Sequence, residues 1–372
     1  MIYFKSIART RTDIARVMLA LLTCVSVVVP ARGQEISCDS AVTLEELIQC
    51  IRQYMPRSGS ERFVVPSQAA QQDWGALIHG ILLDGCADVE LPIELAGCYE
   101  LFDFVDHEIS ARYCVLMEVG DANGDLIVDR GWGTYIYYPD SPNDLHVQIP
   151  HPLFDLRTDR EGIGVFKGTG ARSFQMSGAH RYSNTTPSPC QPNFPNSDPA
   201  HNSASMFRPA TEALLNYYGA DGEFLVVQFH GMAVTSCPGA DVFLTYGTGW
   251  LDALAGPLAD LRATLQARHP DWIITVPGDP LECHLNGGNN MQARRINGVP
   301  DDLACFHSAT EYSQRFIHIE QKIDFRLPSD WIDAIKATAP VYRPQVPVLD
   351  SFSSIAVLLA LFTAALIVHR RT

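Results

Sequence analysis

Basic residues are in short supply, with 27 lysines and arginines against 42 aspartates and glutamates and a formal net charge of −15. A chain this acidic is no natural partner for the phosphate backbone of nucleic acid. No two cysteines stand in a CxxC spacing, which removes the usual basis for a zinc ribbon or a thioredoxin-type redox site. Internal repeats and low-complexity tracts are also missing.

What is present begins with two unusual ends. Lys5, Arg9, Arg11 and Arg16 precede an apolar run from Val17 to Val29, and Ala31-Arg32-Gly33 offers small residues where a signal peptidase inspects the chain. Residues 1–33 therefore read as a signal peptide, with the mature chain starting at Gln34 and Cys24 discarded. Its removal takes the formal charge to −19, because five basic residues and one acidic residue leave with it. At the other end Ile355 to Val368 carries no charge and is followed by His369-Arg370-Arg371. That run is short for a membrane helix, which takes about 17 to 25 apolar residues, but the flanking arginines extend its reach and fit the positive-inside rule. Val346-Pro347-Val348-Leu349-Asp350 ahead of it looks like a short sorting motif. Residues 352–372 are expected to be a membrane anchor or a processed tail, and residues 339–351 a proline-containing linker. The expected location is the periplasm or cell surface of a bacterium.

Roughly 315 residues lie between these ends, enough for one large domain with a small companion. In an exported chain cysteines default to disulfides. Short loops suggest Cys38 with Cys50, Cys86 with Cys98 and Cys283 with Cys305, with Cys190 and Cys237 as a fourth pair and Cys114 left as a buried thiol.

Residues 34–104 read as a helical, disulfide-stapled segment. Leu44, Leu47, Ile48 and Ile51 share a helical face behind a Thr43/Glu46 capping box. The period then changes. Ala111 to Val119 and Leu126 to Tyr138 read as strands around the acidic loop Gly120 to Asp125, which lacks the closing glutamate of an EF-hand and reads as a turn. From 105 to 338 strands and helices alternate in the manner of an α/β domain. Strands are expected at 171–177, 224–229, 272–276 and 316–323, and helices at 203–218 and 251–268.

Polar clusters close several of the predicted strands, where an open α/β sheet places its site. His151 and Asp155, four apart, can face one point from a single turn, and His230 ends a separate strand. Two imidazoles and one carboxylate leave a fourth position open, as catalytic zinc requires. His201, just ahead of a helix, is the rival ligand. His180 is better suited to substrate, because Arg181 beside it opposes a nearby cation. Glu320 stands alone as an acid among Phe316, Ile317 and Ile319. It is either an outward-facing surface group or, if turned toward the metal, the general base and acid of metal-assisted hydrolysis.

The segments Ile149-Pro-His-Pro-Leu-Phe-Asp155, Ser177-Gly-Ala-His-Arg181, Val227-Gln-Phe-His-Gly231 and the late Ile319-Glu320 resemble the N-formylglutamate amidohydrolase family, within the wider group of zinc carboxypeptidases and aspartoacylases. The resemblance spans about Gly131 to Arg326. It implies a three-layer α/β/α fold on a mixed sheet, with one zinc per chain held by His151, Asp155 and His230. It makes Glu320 the catalytic carboxylate and Arg181 the basic residue that meets the oxyanion or a substrate carboxylate, assisted by Asn184. Arg295, or its neighbour Arg294, supplies a second basic position. Asp155 departs from the His-x-x-Glu spacing of carboxypeptidases, and Ala179-His180-Arg181 replaces the Asp-x-Asn-Arg of the amidohydrolases. The expected activity is hydrolysis of an amide bond in an acylated amino acid, a peptide C-terminus or a wall-derived peptide carrying a carboxylate. A surface binding module that keeps the fold without turnover is the alternative. A cysteine nucleophile at Cys190 or Cys237 sits poorly with an oxidising compartment.

Overall fold

Thr43 caps the first helix as its sequence dictates, its hydroxyl accepting from the Glu46 amide at 3.2 Å, and α1 runs over Leu44–Gln53. Ser67 caps α2, Gln68–Asp84, in the same way. This computed structural model describes residues 36–87, 89–248, 254–279 and 283–341. The expected signal peptide, sorting motif and hydrophobic tail lie outside the described residues. No helix among the described residues is long and apolar enough to cross a membrane.

The remaining elements are β1 (Tyr99–Asp106), β2 (Ala111–Glu118), β3 (Thr134–Tyr137), β4 (Leu145–Ile149), α3 (Thr158–Thr169), β5 (Ser173–Met176), α4 (Phe207–Tyr218), β6 (Leu225–Gly231), β7 (Val242–Thr245), α5 (Gly256–Arg268), β8 (Ile274–Thr275), α6 (Met291–Ile296), β9 (Phe316–Gln321) and α7 (Pro328–Thr338). The strands form one mixed sheet in the order β1-β2-β3-β5-β4-β6-β9-β7-β8. Strands β5, β4, β6 and β9 are parallel, β1 to β3 extend the sheet antiparallel on one side, and β7 lies antiparallel to β9.

Strand alternation sorts the core. Val147, Phe174, Val227 and Ile319 point to one face, where residues of α1, α3, α5 and α7 cover them. The opposite face packs under α2, α4 and α6. The fold is thus the expected three-layer α/β/α arrangement. The stapled N-terminal segment is shared between its layers, since α1 and α2 cover opposite faces within one compact unit. A helix with a single apolar stripe needs such a surface to bury it.

Chain order builds the site's position. From β4 the chain passes through α3 to β5 on one side, then through α4 to β6 on β4's other side. The C-terminal ends of β4 and β6 therefore flank a topological switch point, where such sheets open a crevice.

Two expectations are corrected. The expected strand over Leu126 to Tyr138 exists only at 134–137. Asp121 gathers the amides of Gly124, Asp125 and Leu126, while Glu118 takes those of Arg130, Gly131 and Trp132, and these bonds replace a ladder. The disulfides are Cys38–Cys50, Cys86–Cys114, Cys190–Cys305 and Cys237–Cys283, with Cys98 as the free thiol among the described residues. Only the first follows the short-loop expectation. The others join segments brought together by the fold, as with Cys190 and Cys305, 115 residues apart.

Candidate metal centre

His151 follows β4 after Pro150, and the Asp155 amide donates to the His151 carbonyl at 2.8 Å, closing one helical turn. That turn brings both side chains to the same side. His230 lies near the end of β6, in register with Glu320 on β9. His151, Asp155, His230 and Glu320 are all buried, between 2% and 7% exposed. Glu320, His151 and His230 line a cleft of about 190 Å³ together with Arg181, His201 and His318.

Three donor atoms converge. Asp155 Oδ2 stands 3.1 Å from His151 Nδ1 and 3.5 Å from His230 Nδ1. The opposite nitrogens are engaged, His151 Nε2 with Asp198 Oδ1 at 2.9 Å and His230 Nε2 with Gln228 Oε1 at 2.7 Å.

A chain of buried amides fixes the second of these bonds. Gln228 Nε2 donates to Gln148 Oε1 and Gln292 Oε1. Gln148 passes a hydrogen bond on to Gln175, which donates to the Met206 carbonyl, and Gln292 donates to the Pro199 carbonyl. Main-chain carbonyls only accept, so every amide in the chain points its nitrogen away from His230. Gln228 Oε1 is left to accept, also from Asn290 Nδ2 at 2.5 Å, and His230 Nε2 must carry the proton. His230 Nδ1 then presents a bare lone pair to Asp155. On His151 a carboxylate flanks each ring nitrogen, Asp198 at Nε2 and Asp155 at Nδ1, and the tautomer with its proton on Nε2 presents a lone pair at Nδ1. Lone pairs of two imidazoles and a carboxylate aimed at one point repel unless a proton or cation lies among them. This donor set fits a divalent transition ion, with mixed nitrogen and oxygen ligands suited to zinc, and Asp198 and Gln228 would be the outer partners that orient its histidines. Gln228→Leu and Asp198→Ala are each expected to weaken zinc binding about 10–100-fold, read by competition with a chromophoric chelator.

The charges agree. Burial opposes ionisation of Asp155, yet its bonds to His151 and His230 hold it well below the usual carboxylate range. Asp198 is buried too, and His151, His201 and Arg181 hold it down. Burial, chiefly, lowers His230, which favours the neutral imidazole that a metal needs. Glu320 is pushed well above the ordinary range by burial first and the Asp155 charge second.

Of the other expected residues, Arg181 reaches the cleft and is ion-paired with Asp198. His201 sits on the rim, stacked on Phe194 with ring centroids 3.6 Å apart, outside the three-donor cluster. Three expected substrate residues are engaged elsewhere. His180 packs on Phe154 and Tyr182, and its Nδ1 accepts from the Tyr182 amide. Asn184 donates to the Phe63 carbonyl and so ties two loops together. Arg295 pairs with Glu212 on α4 at 2.5 Å, drawn to that carboxylate across the helix packing. None of the three lines the cleft. Arg294 is buried against the Gly288 and Ala304 carbonyls.

Sequence reading passed over Asp198, Gln228 and His318. For Gln228 and His318 the signal is polar alternation inside buried strands, whereas Asp198 lies in a loop that carries no such pattern. His146 and Gln148, Ser173 and Gln175, Gln228 and His230, and His318 and Glu320 each occupy every second place of a strand whose other face is apolar.

No protein-family model matches the chain, and no curated protein matches it. Among solved structures, a gene product of Agrobacterium tumefaciens shares 10% identity over 53% of this chain and 86% of its own, with a TM-score of 0.31. A bacteriophage poly-gamma-glutamate hydrolase shares 14% identity over 55% of this chain and 80% of its own, with a TM-score of 0.29. A protein assigned as a carboxypeptidase A from Shewanella denitrificans shares 13% identity over 55% of this chain and 59% of its own, with a TM-score of 0.28. The functional reading therefore rests on the chemistry of the cleft.

Proposed function

We propose that the protein is a metal-dependent hydrolase of amide bonds, exported to the bacterial cell envelope, that acts on an acylated amino acid, a peptide C-terminus or a wall-derived peptide. One observation carries this reading: two imidazole lone pairs and a carboxylate with fixed partners converge beside Glu320, a buried carboxyl open to the same cleft.

His151 Nδ1, Asp155 and His230 Nδ1 would hold one zinc, which supplies Lewis acidity to a carbonyl oxygen and to water. Glu320 accepts a proton from the attacking water and returns it to the leaving amine, so the carboxyl ends the cycle as it began. Its raised pKa suits the second half of that exchange, because a carboxyl at the ordinary value gives up a proton too readily to hold it for the amine; a cation bound at the neighbouring donors would favour the ionised form that the first half needs. Arg181 lines the cleft and is fixed by Asp198 on the His151 side. Its guanidinium would donate to the carbonyl oxygen as negative charge develops there. Four disulfides fit an oxidising compartment outside the cytoplasm, and the C-terminal tail would keep the protein at the membrane.

The test is release of primary amine from a panel of N-acyl amino acids and short peptides by the zinc-loaded full chain. Turnover that a chelator abolishes and zinc restores supports the reading. Tight zinc binding with no turnover across the panel favours a surface binding module on the same fold.

A further inference from the structure

His318 and Glu320 are unlike every other polar group around the cleft. Both are buried, at 4% and 7% exposure, and neither side chain makes a hydrogen bond within the described residues. His318 Nδ1 is enclosed without a partner. Its Nε2 stands 3.8 Å from Glu320 Oε1, too far for a hydrogen bond. The ring is held by packing alone. The His230 ring lies against it at 4.4 Å, and the Gly287 backbone lies so close that a Cβ there would meet the ring at 3.1 Å. A buried imidazole and carboxylate left this way cost free energy unless something in the cleft completes them.

We infer that His318 and Glu320 form a second, weaker divalent-cation site beside the first. A separation of 3.8 Å is one that a single ion spans with ligand distances of about 2.0 to 2.2 Å. His230 is near enough to belong to either group of donors. It has only one lone pair to give, however, because Gln228 holds a proton on its Nε2. That lone pair faces Asp155, so the first site takes it. The second ion is left with two protein ligands, and neither has an outer partner comparable to Asp198 or Gln228. Fewer ligands and no orienting bonds make this site the weaker by more than about tenfold.

The consequence for turnover rests on the role proposed above for Glu320. An ion on its carboxylate occupies the electron pair that would accept the proton from water. The protein is then active with one equivalent of zinc and inhibited by excess.

The test is a calorimetric titration of the chelator-stripped full chain with zinc chloride, alongside His318→Ala and His151→Ala. Two classes of site are expected in the native chain. His318→Ala should lose only the weaker class and His151→Ala only the tighter. A single class in the native chain, or a weak class that survives in His318→Ala, overturns the second site. Loss of the weak class in His151→Ala also overturns it as an independent site. Absence of the tight class from the native chain counts separately, against the proposed function. Activity followed against zinc concentration should rise and then fall, with the fall missing in His318→Ala if that variant turns over at all.

Discussion

Glu320→Gln is expected to lower kcat by about 10²–10⁴-fold and to leave the first equivalent of zinc in place. Glutamine keeps the shape of the side chain but can neither accept the proton of water nor pass it on. Glu320 faces His230 across the β6–β9 pairing and is not one of the donors grouped around Asp155, so its loss need not disturb them. The variant also removes a carboxylate from a cleft where Asp155 already carries charge, so folding should not suffer. Steady-state kinetics with zinc content measured on the same sample separates these effects. Equal loss of metal and activity would make Glu320 a ligand of the first ion and remove it as the proton carrier.

His151→Ala and His230→Ala are expected to weaken zinc binding by well over the roughly 100-fold that loss of an outer partner costs, with activity lost in parallel. Each removes one of the two imidazole nitrogens that stand 3.1 and 3.5 Å from Asp155 Oδ2. The two variants should differ in what they leave behind. In His151→Ala, Asp198 keeps Arg181 as a partner. In His230→Ala, Gln228 Oε1 keeps Asn290. Neither outer group is stranded, so circular dichroism and thermal unfolding should show a folded protein in both. A metal content unchanged in either variant would contradict the ligand assignment.

The parts of this arrangement written in local patterns were legible in the sequence. The Thr43/Glu46 capping box and the stripe of Leu44, Leu47, Ile48 and Ile51 place α1. The four-residue spacing of His151 and Asp155 puts them on one turn, and the alternation of β and α segments gives the layered fold. What was not legible depends on which chain segments meet. Cys114 lies in β2, and only the fold brings it to Cys86 across 28 residues. Arg295 reads as free to meet substrate until α4 places Glu212 against it. His180 was judged by its neighbour in sequence, but its environment is set by Phe154 from the preceding loop. The amide chain is a further case. Gln148, Gln175 and Gln228 lie in three different segments, and only the parallel register of β5, β4 and β6 lines them up beneath His230.

That alignment gives the glutamines a specific task. A buried glutamine inside a strand is costly unless its amide is satisfied on both sides. Here the cost is offset by hydrogen bonds that end on the Met206 and Pro199 carbonyls, and the polarity of the whole row is fixed by those two ends. The end loops of the cleft are tied down differently. The Arg326 guanidinium lies on Gly231, where a Cβ would come within 2.2 Å of it. It donates to the Leu156 carbonyl beside Asp155 at 2.5 Å and to the Gln321 carbonyl beside Glu320 at 2.8 Å. A glycine directly after His230 therefore lets one buried cation brace the loop that carries Asp155 against the strand that carries Glu320.

The central claim is that one divalent ion is held by His151 Nδ1, Asp155 and His230 Nδ1. Anomalous diffraction at the zinc edge, from crystals of the protein loaded with one equivalent of zinc, tests it most directly. The expected result is one strong peak within bonding distance of those three atoms, with the His151 and His230 rings still bonded through Nε2 to Asp198 and Gln228. A peak at any other cluster, or an ordered cleft with no peak at all, would contradict it.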